Sequence, residues 1–435
     1  MSNEIAASTP PAPTSLRPEE NHGNAYHIQA LLGLFPILFY VQLLVLLIVL
    51  PGALRGHADF RQLYTAGYML RTGHAHELYS YSSQLHFQNK LVSPQAIPLP
   101  FIRPAYCALF YIPFSLLGYR TAYTAFLVLN LILLWVSYRL FRPFIRNLTA
   151  LWTWLPALMF AGFYPVSAAL VEGQDSILLL SIFVGAFCLL NRGKELAAGI
   201  LLGLGLFKFQ IVLPVALLYL FWQRWRFLGG FALSSIAAGT ISLALIGPAS
   251  LTHYARGLLS MNVGIASRPD EPAYPVPVHF MANLHGLVAG ILGGRLSFSV
   301  HVIAIVVSAA AWLLVARLTP GNRRPIEAFP VAVVTTALVS YYIFVYDLTL
   351  LLIPIGLTLD RLAQPGARGS RGAWLTGWIA VLALLGPVSD PFIPQHRFLM
   401  SLPICALLVA LVWSEVAPTW SPGPAMLPAT ARLES

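Results

Sequence analysis

The sequence predicts an all-α polytopic membrane protein, and three observations carry the prediction. Apolar side chains make up 57% of the 435 residues and charged ones only 10%, with a mean hydropathy of +0.73, whereas soluble domains carry about 25% charged residues. Uncharged runs recur along the chain, many near the roughly 20 residues that cross a hydrocarbon core of about 30 Å. Lys and Arg gather in short clusters between those runs, as they do in cytoplasmic loops.

Residues 1–26 are rich in Ser, Pro, Ala and Glu and lack a basic start and a small-residue cleavage site. They are expected to be an unstructured cytoplasmic segment, followed by an apolar run that stays as an anchor. That run, Ile28 to Leu50, has 23 residues and no charge. Further uncharged runs cover 121–134, 148–170, 176–190, 227–254, 296–315 (with His301), 328–346, 348–359, 373–389 and 398–414. Residues 196–222 form an apolar stretch broken by Lys208, read as two half-helices meeting at that lysine. Two shorter apolar stretches, 106–117 and 278–292, are expected as partial or re-entrant helices. The layout gives roughly 11 to 13 transmembrane helices in one domain, 27–415. The proline-bearing stretch 416–435 reads as a disordered cytoplasmic tail.

The basic clusters Arg139/Arg142/Arg146, Arg192/Lys194, Arg224/Arg226, Arg317/Arg323/Arg324 and Arg361/Arg368/Arg371 all fall on one side of this layout, taken as cytoplasmic. The opposite face receives the turns Glu172-Gly173-Gln174-Asp175 and Tyr346-Asp347 and two long loops, 54–103 and 250–295. In the first loop Phe60, Leu63, Tyr64 and Tyr68 follow helical spacing, which predicts a short helix lying in the membrane interface. The formal charge of +10 is explained by basic loops, and no nucleic-acid motif accompanies it. Cys107, Cys188 and Cys405 lack disulfide or zinc spacing. No Walker loop or dinucleotide fingerprint is present, and Gly199, Gly203 and Gly205 read as helix-packing glycines, which disfavours a soluble nucleotide sugar as a substrate.

Several outer-face residues could carry chemistry. Asp59 lies eight residues beyond Pro51, which closes the first apolar run. A carboxylate at a membrane surface suits a general base, while the alternative role is to cap the helix that starts at Phe60. Lys208 has apolar sequence on both sides, and a lysine in such a setting costs about 2.5–3.5 kcal/mol unless it finds water or a partner. A phosphate would serve as that partner, and snorkelling to the outer interface would also relieve the cost. Arg103, ahead of Pro104, has the same two readings. In the turn 172–175, Gly173 permits the reversal, Asp175 or Ser176 caps the next helix, and Gln174 has an amide able to bind a sugar. His279, His285 and Asn283 flank a short apolar stretch and are expected at the interface, without metal-site spacing.

The order Asp59-Phe60, Leu78-Tyr79, Arg103-Pro104, Gly173-Gln174, the stretch 199–214 around Lys208, and Tyr341-Tyr342 through Pro354 resembles glycosyltransferase family 87. Members of that family are bacterial integral-membrane mannosyltransferases with the GT-C fold that use polyprenyl-phosphate-linked mannose. The resemblance implies an inverting transferase of the bacterial inner membrane, active on its periplasmic or outer side. It implies α-mannosyl transfer from a polyprenyl-phosphate sugar lipid to a glycolipid or glycan acceptor, with no cofactor or metal required and no nucleic-acid partner. On that reading Asp59 is the base, Lys208, Arg103 and His279 hold the donor phosphate, and Gln174, Tyr79 and Asp347 contact sugar or acceptor. Two positions depart from the family pattern: Phe209-Gln210 follows the lysine where a proline is common, and Arg103-Pro104 stands for a Pro-Pro pair. The rival classes are a lipid flippase or transporter with Asp59 and Lys208 lining its path, and a membrane scaffold. Internal repeats, frequent in transporters, are not detectable in the sequence.

Overall fold

The computed structural model describes residues 19–263, 278–293, 297–319, 325–364 and 371–416. Among these residues there are helices and turns and no strand, and the protein is an all-α polytopic membrane protein. Helix α1 (Glu19–Gly52) already begins inside the segment expected to be unstructured; residues 1–18 and 417–435 lie outside the described residues. Its second half turns Ile37, Tyr40, Leu47 and Ile48 away from the protein, the expected fate of apolar side chains whose solvent is lipid. A π-turn, Ala53–His57, with Gly56 at φ +97°, then breaks the helix direction and leads into α2 (Phe60–Arg71).

Helix α2 was expected in the interface, but it is enclosed by protein. Phe60, Leu63 and Tyr64 are buried, and so are Arg61, Gln62 and Thr65 on its other faces. Arg61 tolerates burial because its guanidinium donates to the carbonyls of Gly56 and Ser93 at 3.3 and 3.0 Å. Helix α3 (Tyr81–Leu91) and the short α4 (Tyr106–Tyr111) complete the first loop, and α4 is the partial helix expected there.

Helix α5 (Tyr119–Phe141) is a full span. After the one-and-a-half-turn α6 (Arg146–Leu151), the expected span 148–170 divides into α7 (Leu155–Gly162) and α8 (Tyr164–Glu172), bent by 51°. Pro165, which has no N–H to donate to a preceding turn, sits in the first turn of α8 and explains the break. Helix α9 (Ser176–Asn191) leads to α10 (Glu195–Gly203), a 3₁₀ turn Leu204–Lys208 and α11 (Phe209–Phe221). The break expected at Lys208 is therefore present. A Cβ on Gly199 would stand 1.9 Å from the Phe227 carbonyl oxygen, so this glycine lets α10 lie directly on α12 (Trp225–Val263).

Helix α12 continues, with a kink at Gly247, into the expected second outer loop, whose residues 264–277 and 294–296 are outside the described set. The short α13 (Leu284–Ile291), α14 (Phe298–Leu318), the thoroughly buried α15 (Pro325–Val339), α16 (Leu352–Leu362), α17 (Arg371–Leu385) and α18 (Ser401–Val416) close the domain. Among the described residues six helical segments are long and apolar enough to cross a bilayer, or seven with the bent pair α7–α8. Three shorter apolar helices, 176–191, 325–339 and 374–389, bring the total nearer the sequence expectation of roughly 11 to 13, which counted short and bent segments as full crossings.

Candidate active site

The turn between α8 and α9 organises the site. Gly173 adopts the left-handed conformation (φ +58°, ψ 43°), and a Cβ there would lie 2.6 Å from Cβ of Phe60. Only glycine satisfies both the turn and the close approach, and the result is that Gln174 and Asp175 are pressed against the start of α2. Tyr123 secures the end of α8 by donating its hydroxyl to the carbonyls of Leu170 and Val171 at 3.0 and 2.9 Å.

Asp59 occupies the position before α2, but its backbone is already helical (φ −59°, ψ −22°) and its side chain caps nothing. The helix-cap alternative therefore fails. Its Oδ2 instead accepts a hydrogen bond from Gln174 Nε2 at 2.6 Å, and its backbone N–H donates to Glu172 Oε2 at 3.3 Å. Among the described residues neither Asp59 nor Glu172 has an ion-pair partner.

The cations behind them are held by carboxylates. Arg103 donates from Nε and Nη2 to the two carboxylate oxygens of Asp175, at 2.6 and 2.9 Å, and from Nη2 to Gln174 Oε1 at 2.7 Å. Lys208 donates to Ser176 Oγ at 2.7 Å, meets Asp175 Oδ1 at 3.1 Å and bonds Asp347 Oδ1. An ammonium has three N–H donors, so these three partners use all of them. Ser176 in turn donates to Asp347 Oδ1 at 2.9 Å, and Asp347 Oδ2 accepts from the Phe344 N–H at the head of the 3₁₀ helix Val345–Leu351. Tyr346 lays its ring 5.0 Å from the Lys208 ammonium. Two cations and two carboxylates thus form a closed, buried network joining α9, α11 and the loops before α4 and α16.

Asp175 or Ser176 was expected to cap α9, yet Asp175, at the cap position, forms no cap bond and sits at the centre of this network. Burial alone would raise its pKa, but the charges of Arg103 and Lys208 outweigh that and hold the carboxyl well below the usual range.

A cavity of about 470 Å³ is lined by Asp59, Arg103, Gln174, Lys208 and Asp347 together, with Glu172, Tyr346, Asp390 and Arg397. Gln174 and Asp347, expected as sugar contacts, have polar atoms bonded to Asp59 and Arg103 and to Lys208 and Phe344 respectively. Tyr79 does not line the cavity; its hydroxyl donates to the Arg103 carbonyl at 2.8 Å and so holds the loop that carries the arginine. His279 falls in the 3₁₀ turn Val278–Phe280, and its side chain lies outside the described residues. His285 and Asn283 were expected at the interface but are buried: the histidine ring bonds the Tyr341 carbonyl at 3.1 Å, and Asn283 caps α13 and donates to the Ser340 carbonyl. Asp390 and Arg397 were recognisable in the sequence only as two among many charged residues of the outer face. Among the described residues no three His, Cys, Asp or Glu side chains converge as metal ligands.

The site is a cavity in a helical membrane domain, lined by a carboxylate in no ion pair among the described residues and by members of a buried ion network. No curated protein and no solved structure matches the chain. A profile of glycosyltransferase family 87 matches residues 101–345, which include Arg103, Gln174, Asp175 and Lys208 and stop short of Asp59, Asp347 and Arg397. With more than half of its length matched, and with a helical membrane fold around an acidic cavity, the chain belongs to glycosyltransferase family 87.

Proposed function

We propose that this glycosyltransferase moves a sugar, mannose in α linkage, from a polyprenyl-phosphate donor to a hydroxyl of a glycolipid or glycan on the outer face of a bacterial inner membrane. The observation that carries the reading is Asp59, a cavity carboxylate without an ion-pair partner among the described residues, oriented by Gln174 at 2.6 Å. As the acceptor oxygen attacks the anomeric carbon, Asp59 takes the hydroxyl proton. The bond from that carbon to the phosphate oxygen breaks, and its electron pair leaves with the lipid phosphate. Attack opposite the leaving group turns a β-linked donor into an α-linked product.

Two features support a lipid donor and the orientation. Val49 lines the cavity, and the neighbouring Leu47 and Ile48 of the same apolar helix α1 are exposed, so a polyprenyl chain can lie along α1 in hydrocarbon while its phosphate enters. Helices α9 and α11 begin at the site and end beside Arg192 and Arg224. Positive charge favours the cytoplasmic side, which turns the cavity outward.

The test is reconstitution with polyprenyl-phosphate mannose and a panel of glycolipid and glycan acceptors. Asp59→Asn should lower kcat by about 10²- to 10⁴-fold, the range supplied by a general base, with the protein still folded. Undiminished transfer by the variant would remove Asp59 as the base. Movement of the lipid across the bilayer without sugar transfer would replace the enzyme reading with a flippase.

A further inference from the structure

We infer that Arg397, in the loop before α18, is the residue that grips the phosphate of the lipid substrate. The inference rests on the transferase reading above and names the group that binds the substrate's charge. It starts from a shortage: Lys208 has three acceptors around its three donors, and Arg103 commits Nε and Nη2 to Asp175 and Gln174, which leaves it Nη1 alone and no open two-nitrogen fork among the described residues. A phosphate entering the cavity needs an arginine or lysine whose donors point at it.

Arg397 meets that need. It lines the same cavity as Asp59, and its side chain keeps 25% exposure, compared with 7% for Arg103 and 4% for Lys208. Its guanidinium is held on two sides. Nε lies 2.6 Å from Asp390 Oδ1, and the Phe280 ring packs with its centroid 4.4 Å from the guanidinium carbon. Asp390 is itself fixed by the Tyr164 hydroxyl, which donates to Oδ2 at 3.2 Å. Among the described residues nothing accepts from Nη1 or Nη2. A guanidinium steadied at Nε and on one face, with its terminal fork open, is suited to two parallel hydrogen bonds to phosphate oxygens.

The lipid side of the assignment comes from the cavity's other wall, which Val45 and Val49 of α1 line within a segment long and apolar enough to cross a membrane. A free phosphate would have no use for that wall. The residue also lies beyond the matched stretch 101–345, in the part of the chain where the family profile assigns nothing.

The experiment measures binding of farnesyl phosphate to the detergent-solubilised full chain, with farnesol and inorganic phosphate as separate arms, and transfer kinetics alongside. Wild type should bind farnesyl phosphate more tightly than either control. Arg397→Gln should weaken farnesyl phosphate binding about 10- to 100-fold, as expected for lost charge-assisted hydrogen bonds. It should leave farnesol binding unchanged. Arg397→Lys, which keeps the charge but not the fork, should fall between them, and it supplies the comparison if the glutamine variant fails to fold. In transfer assays the donor KM should rise more than kcat falls. Wild-type affinity in both variants overturns the assignment and leaves the transferase reading standing. No binding of farnesyl phosphate by wild type overturns the assignment and counts against the lipid-donor reading beneath it. Inorganic phosphate competing as well as farnesyl phosphate replaces the lipid headgroup with a free anion and overturns the lipid assignment.

Discussion

The two ion-pair groups of the cavity contain the same chemistry in different states of saturation. In the inner group Arg103, Asp175, Lys208 and Asp347 satisfy one another at side-chain exposures of 7% or less. In the rim pair Asp390 and Arg397 remain 11% and 25% exposed, and the terminal fork of the arginine has no acceptor among the described residues. The comparison teaches that burial and availability oppose each other. A cation deep in a membrane domain must be paired to be there at all, and the pairing that permits it uses the donors a substrate would need. The inner group builds the site, and the rim pair is the one free to meet a ligand.

The comparison breaks most readily at Asp175. Removing one partner of a buried ion group leaves an uncompensated charge and costs about 3–5 kcal/mol. Asp175→Asn strands part of the charge of both Arg103 and Lys208, so denaturation in detergent should show a loss of that order; an unchanged midpoint would mean the inner group contributes little to stability.

A smaller effect is expected at Lys208. Lys208→Met removes the buried ammonium and its hydration cost together, but it leaves Asp347 with Ser176 and the Phe344 N–H, and Asp175 with Arg103. A loss of about 1–3 kcal/mol follows from the remaining unpaired acceptors, with the donor KM of the folded protein little altered. A large rise in KM without a loss of stability would return the phosphate to Lys208 and reverse the assignment of the two groups.

The smallest effect is the pH dependence of the inner group. Burial raises the pKa of Asp175 and its two cations lower it further, so the folded value lies below the unfolded one of about 3.9. A depressed carboxyl adds stability that is present above the unfolded pKa and is lost as pH falls toward the folded one. The thermal midpoint of wild type should therefore show no pH dependence from Asp175 between about pH 5 and 8, where its contribution is complete, and a decline below about pH 4. Asp175→Asn should lack that acid limb, and an identical limb in the variant would assign it to other carboxylates.

Much of the site was legible as places in the chain, because the signals are local. A lysine inside an apolar stretch has to interrupt a helix or reach a partner, and Lys208 does both. A glycine between two apolar helices marks a turn, and Gly173 makes one. The roles were less legible. Asp59 and Asp175 both stand immediately before a helix, where capping is the commonest task of an aspartate, and neither side chain caps. Their partners lie 115 residues away for Asp59 and 72 for Asp175, separations that no local pattern reports. For α2 the amphipathic spacing was read correctly as helix and wrongly as interfacial, since hydrophobic period cannot tell whether protein or lipid covers the second face.

By itself the sequence determined that this is a helical membrane protein, where its chain breaks and turns, and that Asp59, Arg103, Gln174 and Lys208 belong to the chemistry worth testing. Those properties follow from apolarity, charge and backbone conformation, which act over a few residues. Only the tertiary structure decided which charges are spent and which are available: Lys208 closed off by Asp175, Asp347 and Ser176, Asp59 bonded to Gln174 and in no ion pair among the described residues, and Arg397 lining the cavity. Electrostatic pairing depends on distances of a few ångströms between groups far apart in the chain, and folding alone brings those groups together.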